Sequence, residues 1–61
     1  MNEEQKQQMV KQRLQQYEQQ IFSLEMDKVA LVAVEDTEGV KNIDIRIEAV
    51  RKAHSAVAGM V

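Results

Sequence analysis

His54 is the one histidine in a chain of 61 residues, so it is the first place to look for proton-transfer chemistry. An imidazole works as a general base when a Ser or Cys nucleophile stands within hydrogen-bond reach. The chain has no cysteine, and Ser55, the next residue, points elsewhere on a helix. Glu35, Asp36 and Glu38 form a second cluster. A calcium loop needs oxygen ligands at alternating positions and a Glu at the twelfth, and this spacing lacks them. A capped, solvated turn is the expectation there. Tyr17 falls between Leu14 and Ile21 at helical spacing, where a tyrosine packs its ring and lets the hydroxyl reach the rim. Met9, Met26 and Met60 are dispersed and fit gap-filling. No catalytic, cofactor-binding or metal-binding set of residues emerges. The expectation is a protein that is not an enzyme, with no cofactor and no small-molecule substrate.

Size narrows what remains. A domain of about 60 residues buries only about 60% of the surface its unfolded chain exposes. Such domains usually rely on disulfides, a metal or oligomerisation. Without cysteine, and with one histidine, the first two are ruled out, and association with other chains is left. Proline and tryptophan are absent, and Glu, Gln, Lys, Ala, Val and Ile dominate, the composition of long helices. The longest apolar run, VALVAV, is far short of the ~20 residues of a membrane span. The opening MNEEQKQQ lacks the basic and apolar regions of a signal peptide. Net charge is −2 and no dense basic face is present, so neither nucleic acid nor membrane is an expected partner. The charge is uneven: residues 21–40 sum to −4 and residues 41–61 to +2.

The elements that would position these residues are helical. Val10, Leu14, Tyr17, Ile21, Leu24, Lys28 and Leu31 repeat at alternating steps of four and three, the rhythm of a coiled-coil seam. Glutamines fill the other faces of the first twenty residues, and the regular apolar spacing from Val10 onward favours helix over low-complexity disorder. Residues 29–47 admit two readings. Alternation at Ile43, Ile45 and Ile47, with VALVAV before it, fits a β-hairpin turning at EDTEG. Val40, Ile43, Ile47, Val50, His54, Val57 and Val61 instead step by three and four through the whole last third. The longer match prevails. A single module over 1–61 follows: helix 1 at about 2–34, a corner at about 35–37 and helix 2 at about 38–58. Asp36 or Thr37 can cap the second helix, with Glu38 favourable in its first turn. Gly59 is placed to end it, whereas Gly39 weakens its first turn.

The expected fold is all-α, an antiparallel two-helix hairpin with a coiled-coil-like seam. A corner near residue 36 makes facing residues add to about 72. Lys28 then meets Asp44, His54 meets Glu18, and Glu25 falls near Arg46. Each polar residue in a seam thus meets an opposite charge, and these pairs set register more than stability. Residues 2–11 should overhang the shorter second helix. Phe22, Met26, Val29 and Ala33 form a second stripe on helix 1, and Ile45, Ala49, Ala53, Ala56 and Met60 another on helix 2. Two helices alone cover neither, so a further hairpin or a larger protein must, as in a four-helix bundle. A short corner also permits a swapped, extended dimer. The expected interface anchors are Val10, Leu14, Phe22, Met26, Val29, Ile45, Ala49 and Met60.

The stretch QIFSLEMDKVALVAVEDTEGVKNIDIRIEAVRKAH, residues 20–54, resembles the short all-helical reading frames of tailed bacteriophages, including those of marine cyanobacteria. That resemblance implies a virion or assembly component, or an accessory protein of host takeover. The expectations are therefore a non-catalytic structural or assembly protein that contacts itself or a larger protein assembly, or a small regulatory protein that binds a host protein. Its place would be the bacterial cytoplasm or the phage particle.

Overall fold

The computed structural model describes residues 1–61. Two helices form, α1 over Glu3–Ala33 and α2 over Thr37–Ala58, and they pack against each other as an antiparallel hairpin. The segment open to two readings is helical throughout. Its three isoleucines make the difference visible: Ile43 and Ile47 are 8% and 7% exposed, while Ile45 is 61% exposed. A strand would have put all three on one face.

α1 starts where its sequence satisfies its own orphan N–H groups. The Asn2 side chain accepts from the Gln5 N–H at 2.8 Å, and Gln5 Oε1 accepts from the Asn2 N–H at 3.2 Å. This capping box, with Glu3 and Glu4 in the positive first turn, begins the helix at Glu3. The expectation at the sequence level rested on apolar rhythm and did not use this cap.

The corner occupies residues 34–36, one residue earlier than expected, because two caps meet there. The Asp36 N–H bonds to the Leu31 carbonyl and the Glu35 N–H to the Val32 carbonyl, the paired bonds of a Schellman ending. That ending needs a left-handed residue, and Glu35 supplies it with φ 57°. Asp36 then turns its carboxylate forward to accept from the Gly39 N–H at 2.9 Å. A Cβ at Gly39 would lie 2.5 Å from Asp36 Oδ2, the end of a flexible side chain that can turn aside. Gly59 closes α2 in ordinary right-handed geometry, φ −71°, so it ends the helix without using glycine's access to positive φ.

A non-glycine residue in the left-handed region costs about 1–2 kcal/mol, while glycine costs up to about 1 kcal/mol in chain entropy. Glu35→Gly is expected to stabilise the hairpin by about 1 kcal/mol or slightly less. Thermal melting of the two proteins at equal concentration checks it, and a lower midpoint for the variant would contradict the strained corner.

Packing follows the two seams. Leu24, Ile43 and Ile47 are buried and form the core, flanked by Ile21, Leu31 and Val50. Val10, Leu14, Tyr17 and Lys28 of α1 and Val40, His54 and Val57 of α2 are half-buried along the same line. The hairpin is a slab of 49 × 15 × 10 Å. Val10 is half-buried while residues 1–9 are all exposed, so cover reaches slightly farther back than the expected overhang of 2–11.

Candidate functional site

The polar residues of the seam lie on one edge of the slab. Lys28 Nζ lies 2.8 Å from Asp44 Oδ1, and His54 Nε2 lies 3.2 Å from Glu18 Oε2. Both pairs obey the sum of 72 that an antiparallel register about residue 36 demands. The expected neighbour of Glu25 is corrected: its carboxylate meets Arg51, at 3.5 Å, and Arg46 has no ion-pair partner. The reason is rotational. Glu18 and Glu25 each follow a seam residue of α1 by one position, as Asp44 and Arg51 follow seam residues of α2. Antiparallel helices bring such equivalent flanks together along one edge. Arg46 precedes the seam residue Ile47 and so lies on the opposite edge. Linear register placed Glu25 and Arg46 at the same height, and only the seven-residue spacing within each helix could have separated them.

These pairs are partly exposed to solvent, so each contributes only about 0–1 kcal/mol. Their effect is to penalise slipped alignments, which would leave a cation or carboxylate against apolar seam residues. His54 is thus held within the seam by Glu18. The acidic corner is taken up by caps: Asp36 binds the α2 N-terminus, and Glu38 lies in its first turn.

The expected interface anchors divide into two groups. Val10 and Leu14 lie in the seam, half-buried by the chain's own fold. Phe22, Met26, Val29, Ile45 and Met60 are prominent exposed hydrophobics, Phe22 at 63%, and Ala49 is exposed with them. Val32 and Val34 add to this surface near the corner.

Helical periodicity places the exposed residues on opposite sides of the slab. Phe22 is four residues from Glu18 and three from Glu25, so the Phe22–Met26–Val29 stripe lies outward of the ion-paired edge. Ala49 is three residues from Arg46 and four from Ala53, so Ala49 and Ala56 lie outward of the other edge, and Ile45, two residues after Ile43, points straight out from the back of α2. Met60 stands apart at the open end. There Met1, Met9, Val10, Val57, Met60 and Val61 line a groove of about 810 Å³ between the start of α1 and the end of α2.

No helix is long and apolar enough to cross a membrane. The chain matches no protein-family model, no curated protein and no solved structure.

Proposed function

We propose that this chain is a non-catalytic structural or assembly module that works by helix–helix contact, as a component of a phage virion or of its assembly. The supporting observation is the imbalance of its apolar surface. Three residues are buried, whereas ten large hydrophobics, including Phe22, Met26, Val29 and Ile45, are exposed. Monomeric soluble proteins seldom leave contiguous apolar stripes uncovered, and such stripes mark contact sites. The exposed area agrees. A compact monomer of this mass has about 4,000 Å² of accessible surface, and this chain has 4904 Å². The excess of roughly 900 Å² reflects the elongated slab, which leaves the outer faces of both helices to solvent. The resemblance of residues 20–54 to short helical phage proteins supplies the virion or assembly setting.

The test is solution mass by light scattering after size exclusion, with helicity by circular dichroism, across a tenfold dilution. The expected result is a mass above 7.0 kDa and helicity that falls on dilution. A weakly helical monomer would move the contact to a different protein and favour the regulatory-binder reading. A fully helical monomer with a concentration-independent melt would overturn the proposal, because the hairpin would then need no contact.

A further inference from the structure

We propose that the occupant of each exposed stripe is the unlike stripe of a second copy, so that hairpins associate side by side, head to tail. This rests on the contact-module reading above and specifies its partner and geometry.

Three observations carry it. The two stripes lie on opposite sides of the slab, so a pair of copies cannot bury all four at once. Size is matched between unlike stripes: Phe22, Met26 and Val29 project from α1, whereas on α2 Ile45 is followed by Ala49 and Ala56, which add little bulk. Large against small is how facing helices interdigitate. Charge is matched in the same sense. Glu25, Asp27 and Lys28 border the α1 stripe, a net −1, while Lys41, Arg46 and Lys52 border the α2 stripe with the acids Asp44 and Glu48, a net +1. Asp27, Lys41, Arg46 and Lys52 make no ion pair within the chain. Like stripes would set acid against acid and base against base, and unlike stripes pair them.

The heights also agree. In the antiparallel register Phe22 is level with Val50 and Met26 with Arg46, within the span of the α2 stripe. A neighbour placed alongside in the same orientation needs no axial shift. Its α2 then runs antiparallel to α1, as the chain's own α2 does. An interface of this kind is heterologous: it grows until a rotation per step closes it into a ring.

Two variants with one blocked stripe each test the proposal. Phe22→Lys sets a cation against the basic border of the next copy, and Ile45→Glu sets a carboxylate against the acidic one. Both positions are exposed in the hairpin. The wild type is expected to exceed two copies per particle. Each variant alone is expected to lose at least about thirtyfold in association and to run near 7.0 kDa. An equimolar mixture is expected to recover a 1:1 dimer, because each variant retains the stripe the other lacks. If either variant unfolds alone, mixing is expected to restore helix as well as mass. Single variants that remain dimers would show like-stripe pairing and overturn the proposal while leaving the contact module intact. A wild type that stops at two copies, or a mixture that recovers nothing, would also overturn it. A stable, fully helical wild-type monomer would overturn both.

Discussion

Ile47→Ala is expected to unfold most of the hairpin, and Ile45→Ala is expected to leave it folded at concentrations where the chain still associates. Ile47 belongs to the three-residue core with Leu24 and Ile43. Removing a buried isoleucine side chain costs about 2–5 kcal/mol, part of it from the space left behind. A core in a chain this short supplies about 3–5 kcal/mol in all. The loss is therefore comparable with the whole stability. No third layer lies over the seam from which a side chain could move in. Ile45 is the same residue type two positions away, yet its side chain faces outward. Its truncation should weaken association and leave the α1–α2 seam unchanged. Far-ultraviolet circular dichroism at matched concentrations reads the difference. Equal melts for the two variants would mean that the seam and the outer stripe contribute alike, contrary to the burial pattern.

His54→Leu is expected to produce the largest stabilisation. His54 occupies a seam position between Val50 and Val57, half-buried and bonded to the Glu18 carboxylate. Leucine would continue the apolar line. Full burial of a leucine stabilises by about 1.5–3 kcal/mol, and the site is only half-covered. The lost Glu18 contact, with Glu18 largely exposed, offsets at most about 1 kcal/mol. A net gain of about 1 kcal/mol remains, a rise of about 4–8 °C in the melting midpoint of a domain this size. The same substitution removes one of the two polar pairs that obey the register, so alternative alignments become less costly. Light scattering on the variant should show a broader distribution of assembly states than the wild type. A lower melting midpoint would mean that the Glu18 contact outweighs seam burial.

Much of the architecture was legible from spacing alone. A step of three and four residues sustained from Val10 to Leu31, and again from Val40 to Val57, leaves one continuous apolar line on each helix. Burying both lines requires that they face each other. Once they do, the antiparallel register about the corner brings Lys28 to Asp44 and His54 to Glu18, because height along the pair is a linear function of residue number. The β-like alternation at Ile43, Ile45 and Ile47 was misleading for a local reason: period two and period 3.6 both place residues 43 and 47 on one face, and only Ile45 distinguishes them.

Rotation about the helix axis and the cap geometry were decided by the tertiary structure. Glu25 and Arg46 share a height but lie on opposite edges, so Glu25 pairs with Arg51. The exposed residues, read along the chain, form one stripe on each helix; folded, the two stripes lie on opposite sides of the slab, with Met60 apart at the open end. The corner closed one residue early because the Schellman ending at Glu35 and the Asp36 cap share it, a matter of backbone hydrogen bonds that apolar periodicity does not encode. Sequence thus determined which residues face inward and at what height they meet. The packed pair determined which edge each charge occupies and which way each uncovered stripe points, since those depend on how two helices are turned toward each other.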